Sequence, residues 1–195
     1  MNKYDRLILE NKAWAEEKSS KLPTFFDQLG KEQQPSFFWI GSSDSQVPEA
    51  VITNTQPGEI FVHRNIGNQV NSKDPNFMSA LQYAVDVLKV EHIIICGNYA
   101  CSGVKAALSE GENSSFVQQW VEGIKTNYAK NQPELDVLTT EERQKKMVEL
   151  NVIRQYEQLI QIDLVQKVLQ ENQQLAIHCW VFDPNTGLVS EIEFE

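Results

Sequence analysis

Two stretches of this chain place polar and reactive side chains directly after short apolar runs. The first, Gly41-Ser42-Ser43-Asp44-Ser45-Gln46, follows Phe37-Phe38-Trp39-Ile40. The second, Gly97-Asn98-Tyr99-Ala100-Cys101-Ser102-Gly103, follows Ile93-Ile94-Ile95-Cys96. The second reads as strand, glycine, turn and helix, which sets Cys101 near a helix N-terminus. Exposed amides and the macrodipole at such a position favour a thiolate, the form that binds a metal or attacks carbon. The plainer alternative is a small residue packing the turn, and spacing alone favours it. His63, His92 and His178 lie at or beside apolar runs, where a satisfied structural histidine is commoner than a ligand. Nothing in the sequence resembles a glycine loop that cradles phosphate.

Bringing two such loops together takes a sheet. Residues 37–41, 59–64, 93–97, 175–182 and 188–194 read as strands, short and mostly apolar. Residues 3–20, 77–89, 101–109, 114–130 and 139–170 read as helices, the last opened by a capping box of Thr139 and Glu142. Asp183-Pro184-Asn185-Thr186-Gly187 turns the final two strands. Helices separating most of the strands predict an α/β domain with a mainly parallel sheet and an antiparallel edge hairpin. In such a sheet the residues just past the strand carboxyl ends meet in one crevice, where ligands bind. Residues 3–20 carry a thin stripe of Tyr4, Leu7, Asn11 and Trp14, which needs another surface to cover it; a partner subunit is the expected cover. The acidic, glutamine-rich stretch 139–170 is expected to solvate one face and bury one stripe.

Composition bounds the rest. The chain has 195 residues, enough for one domain, with a helical arm over 1–34 and an α/β core over 35–195. An apolar fraction of 41% and a charged fraction of 23% exclude wholesale disorder. Lysine and arginine number 17 against 27 aspartates and glutamates, a net charge of −10. That balance disfavours polyanions, so neither nucleic acid nor an anionic membrane is an expected partner. No long uncharged apolar run is present, and the charged first residues lack a signal-peptide core. Three cysteines, Cys96, Cys101 and Cys179, then read as reduced thiols of a cytoplasmic protein.

The stretch 37–105 resembles the β-class carbonic anhydrases, specifically their bacterial branch. The likeness rests on Phe38-Trp39-Ile40-Gly41, Val47-Pro48, Pro57-Gly58-Glu59, Phe61-Val62-His63-Arg64-Asn65, Tyr83-Ala84-Val85 and Val90-Glu91-His92-Ile93-Ile94-Ile95-Cys96-Gly97. Weaker similarity continues through Glu149-Leu150-Asn151-Val152 and Ile177-His178-Cys179-Trp180. The resemblance implies the β-carbonic-anhydrase fold, a mainly parallel sheet flanked by helices, with the N-terminal helix packed on a partner subunit. It also implies self-association as a homodimer or a dimer of dimers. In that family the first loop reads Cys-x-Asp-Ser-Arg and the second His-x-x-Cys. The two cysteines and the histidine hold zinc, and the aspartate and arginine form a gating and proton-handling pair.

This chain departs from that pattern at three positions. Ser42 stands where the family has cysteine, Gln46 where it has arginine and Asn98 where it has histidine. Cys101 is the one ligand position retained. Zinc prefers thiolate sulfur or imidazole nitrogen, and structural zinc contributes about 10–16 kcal/mol in small peptides. A hydroxyl and an amide oxygen forfeit a large part of that, so no zinc cofactor, or a weakly held one, is expected. Asp44 and Cys101 with waters would make only a labile site. Carbon dioxide hydration fails with the metal, because a dication is what lowers the pKa of water from 15.7 to about 7. Asp44 survives as the remnant of the catalytic dyad, without its arginine. A family anion pocket made of tryptophan, arginine and tyrosine maps onto Trp39, Arg64 and Phe182, which predicts bicarbonate binding; the plainer reading is a core tryptophan and a structural arginine ion pair. The expected function is therefore a carbonic-anhydrase-like pseudoenzyme that binds an anion, a partner protein or an active paralogue. The alternative is an active carbonate dehydratase with a rearranged metal site; a third is an enzyme or redox sensor using the Cys101 thiolate.

Overall fold

The structure is a computed structural model and describes residues 1–31, 33–109, 115–171 and 174–193. Its contacts divide the chain into Met1–Gln33 and Gln34–Glu195. In the first unit, α1 (Lys3–Lys21) starts where the Asn2 side chain accepts the Asp5 amide at 2.8 Å, and α2 (Phe25–Leu29) follows. Trp14 meets Phe25 and Phe26 edge-on at 6.1 and 5.7 Å. The thin stripe is present on α1, where Tyr4 and Leu7 stand 71% and 69% exposed.

The second unit is built on a five-stranded sheet in the order β2-β1-β3-β4-β5: β1 (Phe37–Ser42), β2 (Ile60–Asn65), β3 (His92–Asn98), β4 (Ala176–Asp183) and β5 (Leu188–Glu191). The first four strands pair in parallel and β5 turns back antiparallel on β4, as the sequence predicts. The runs are apolar without alternation because both faces are covered. Phe38, Ile40, Ile93, Ile95, Cys179 and Val181 enter the main core with the helices, while Trp39, Ile94, Cys96 and Phe182 form a second cluster with Val47.

The helices depart from the predicted spans in ways the chain's chemistry explains. After α3 (Glu49–Ile52), α4 (Pro75–Gln82) begins two residues early, because Asp74 caps it and Pro75 fits the first helical position. It runs on as a π-helical turn over Tyr83–Val87, closed by the Leu88 amide on the Tyr83 carbonyl at 2.9 Å. Next comes α5 (Ser102–Leu108). The helix predicted over 114–130 is two, α6 (Phe116–Trp120) and α7 (Glu122–Lys130), with residue 114 outside the described residues. The break falls at the fully buried Val121, so tertiary burial overrides local propensity there. The short α8 (Gln132–Leu135) precedes α9 (Thr140–Leu159), which carries the expected capping box. The long helix predicted to reach residue 170 stops instead after Leu159 and restarts as α10 (Asp163–Glu171). Leu159, Ile162 and Val165 are all buried across this break, and Asp163 complements the new N-terminus. The last strand is shorter than predicted, and residue 194 lies outside the described residues. Among the described residues no helix is long and apolar enough to cross a membrane.

Candidate functional site

Parallel pairing of β1 and β3, with Gly41 opposite Cys96, brings their carboxyl ends level. The two loops singled out in the sequence therefore meet in one crevice. Ser42 ends β1, Asn98 ends β3 and Cys101 precedes α5; all three are buried. The Cys101 thiol donates to Ser42 Oγ at 3.6 Å, and the Gly67 amide donates to the same oxygen at 3.2 Å. Gly67 has φ +78°, and a Cβ placed on Gly103 would lie 2.8 Å from its nitrogen. The two glycines thus let α5 approach the 65–70 segment closely enough for this arrangement.

Asp44 is held from two sides. Asn98 Nδ2 donates to Asp44 Oδ2 at 2.9 Å, and the Gln46 backbone amide donates to Asp44 Oδ1 at 2.7 Å. Asn98 Oδ1 in turn accepts the Ala100 amide at 2.9 Å. Gln46 thus supports the carboxylate through its main chain, whereas an arginine side chain would have met it with charge. The donors of the crevice face one another. Among the described residues no three histidine, cysteine, aspartate or glutamate side chains form a metal-holding group. One thiol, a carboxylate bound to an amide and a hydroxyl that already accepts two hydrogen bonds do not fit a tightly held zinc ion.

Trp39 is fully buried and Phe182 nearly so, in the second core cluster. The Arg64 guanidinium forms an ion pair with Glu49 and donates to the carbonyls of Ser42 at 2.9 Å and Val47 at 2.5 Å. Trp39 Nε1 is buried and has no hydrogen-bond partner among the described residues.

The histidines find partners away from the crevice's reactive groups. His92 Nδ1 lies 3.1 Å from His178 Nε2, and His178 Nδ1 lies 3.0 Å from Glu191. His63 Nε2 lies 3.3 Å from Asn65 Nδ2, and burial pushes the His63 pKa down against a smaller opposing pull from Asp74. Burial also raises the thiols of Cys96 and Cys179, each to about 12. Tyr99 is raised to about 12 by burial and by the hydrogen bond it donates to Glu149.

A set of amide side chains missed in the sequence supports the crevice from behind. Asn151 Nδ2 donates to the Gly67 carbonyl at 3.0 Å. Gln155 accepts the Val70 amide at 2.8 Å and donates to Asn151 Oδ1 at 2.8 Å. The available signal was two amides, four residues apart, inside the buried stripe of α9.

The sequence model of the carbonic anhydrase family matches residues 37–189. A carbonic anhydrase from Emericella nidulans is 38% identical over 193 residues, covering 98% of this chain and 84% of that protein. One from Saccharomyces cerevisiae is 30% identical, covering 95% and 87%. These relatives are fungal and lend no support to a bacterial branch. The crystal structure of a tetrameric β-carbonic anhydrase from Sordaria macrospora superposes with a TM-score of 0.96 at 36% identity, over 100% of this chain and 98% of that one. The Coccomyxa β-carbonic anhydrase in complex with acetazolamide gives 0.93 at 37% identity, over 98% and 87%. With a family match over most of the chain and whole-length relatives above 30% identity, this chain belongs to the β-class carbonic anhydrases.

Proposed function

We propose that this chain keeps the fold of its family and has given up zinc-dependent hydration of carbon dioxide for a binding role. The observation carrying this reading is the crevice's internal pairing, Asn98 with Asp44 and Cys101 with Ser42, at the positions where the family pattern has its metal ligands. Losing one thiolate and the arginine together removes one buried charge of each sign, and losing the imidazole removes a nitrogen donor, changes consistent with a pocket that balances no dication. The test is zinc content by mass spectrometry on protein purified without chelator, combined with stopped-flow hydration of carbon dioxide. Substoichiometric zinc and a rate equal to the uncatalysed one are expected; one tightly held zinc per chain ends the reading.

The second reading, an active carbonate dehydratase with a rearranged site, is favoured by the relatives, which are named carbonic anhydrases. It requires Asp44, Cys101 and a third group to grip the metal, and predicts catalysis that Cys101→Ala abolishes. For the binding role, the indole N–H of Trp39, without a partner among the described residues, supports a small anion such as bicarbonate beside Arg64 and Phe182. Partners would be further copies of the chain, or an active paralogue, docking on the exposed stripe of α1. The tetrameric Sordaria relative supports self-association, which analytical ultracentrifugation would measure. Three free, buried cysteines support a cytoplasmic protein.

A further inference from the structure

A polar cavity of about 240 Å³ borders the segment that follows β2. Gln69 and Val70 form one wall, α6 and α7 another, and Arg154 and Gln158 of α9 a third. Residues 154 and 158 are one helical turn apart, so they share a face.

Three observations distinguish this cavity from ordinary surface. Arg154 is half-buried and makes no ion pair or hydrogen bond with any described residue. The carbonyl oxygen of the Gln158 side chain is buried and has no hydrogen-bond partner among the described residues. A Cβ on Gly123 would lie 2.9 and 3.2 Å from the two terminal guanidinium nitrogens of Arg154, so the glycine leaves room for the guanidinium. Gln69 is fixed as part of the wall, since its Nε2 donates to the Trp120 carbonyl at 2.9 Å. Burial lowers the Arg154 pKa, and Glu157 pulls it the other way.

A guanidinium fork wants an oxyanion, whereas a carbonyl oxygen wants a hydrogen donor. A ligand that satisfies both is an oxyanion carrying one hydroxyl hydrogen. We propose that the cavity lined by Arg154, Gln158 and Gly123 binds a small monoprotonated oxyanion of the bicarbonate type, two oxygens on Arg154 and the O–H on Gln158. The site is separate from the crevice and from the Trp39–Arg64–Phe182 cluster, and it stands whether or not the crevice holds zinc.

The test titrates bicarbonate into the full-length protein at constant ionic strength and mildly alkaline pH, read by calorimetry. Nitrate is the control, being planar and singly charged but lacking the hydrogen. Bicarbonate is expected to bind at least about tenfold more tightly than nitrate, and Arg154→Gln to weaken bicarbonate by at least about tenfold. Gln158→Leu should bring bicarbonate down to the level of nitrate. Gly123→Ala, which crowds the guanidinium, should reproduce the Arg154→Gln loss and serves as the deciding variant if Arg154→Gln does not fold. Equal affinity for bicarbonate and nitrate overturns the assignment. So does unchanged affinity in both Arg154→Gln and Gly123→Ala.

Discussion

The crevice and the Arg154 cavity are built on the same stretch of chain, residues 65–70, and treat their polar groups in opposite ways. In the crevice, Ser42, Asp44, Asn98 and Cys101 all have hydrogen-bond partners within the protein. In the cavity, the Arg154 guanidinium and the Gln158 carbonyl have none among the described residues. Buried polar groups cost free energy unless they are paired. A self-paired pocket is therefore stable empty, and an unpaired one gains from a ligand.

The largest effect that would sharpen this contrast is the return of a metal. The triple variant Ser42→Cys, Gln46→Arg, Asn98→His should take up about one zinc per chain, with apparent binding of the order of 10 kcal/mol, measured by mass spectrometry after dialysis. Failure to load would mean that the loops themselves have moved. Next comes the scaffold the two pockets share. Gln155→Leu strands the buried Val70 amide and should cost about 1–3 kcal/mol in urea unfolding, disturbing both pockets together.

Two smaller changes break the comparison from either side. Asn98→Ala leaves the Ala100 amide and Asp44 short of a partner and should cost about 1 kcal/mol. Gln158→Leu removes an acceptor that has no partner among the described residues and should cost nothing, or stabilise by up to about 1 kcal/mol. Equal losses at both positions would erase the distinction between the pockets. The smallest effect is a pH dependence. Burial depresses the His63 pKa, so the unfolded chain takes up a proton first as pH falls. Stability contributed by neutral His63 is complete above the ordinary value of 6.5 and declines as pH drops through it. His63→Gln should flatten that limb of the urea midpoint against pH.

Much of this was legible in the sequence for a simple reason. Runs such as Ile93-Ile94-Ile95 are apolar on both faces, short and β-branched, as a covered parallel strand is, so strands, order of elements and the meeting of the two loops followed. The breaks at Val121 and after Leu159 did not, because neither falls on a proline or glycine, Gly123 lying inside the helix that follows the first; what decides them is which side chains the core accepts. Gly67 and Gly103 touch across 36 positions of sequence, a proximity no local pattern carries. The supporting amides Asn151 and Gln155 were visible only as misfits in an apolar stripe. Arg154 was invisible, since an unpaired arginine reads like any solvated one until its surroundings are known.

The three cysteines give the folded chain a property of practical use. All are buried, and Cys96 and Cys179 are held as neutral thiols at neutral pH. A labelling reagent in solution meets them only when the protein opens, so the slow appearance of modified sulfur becomes a clock for that opening. Read separately at each cysteine, it would time the exposure of β3, of β4 and of the crevice floor without any added probe.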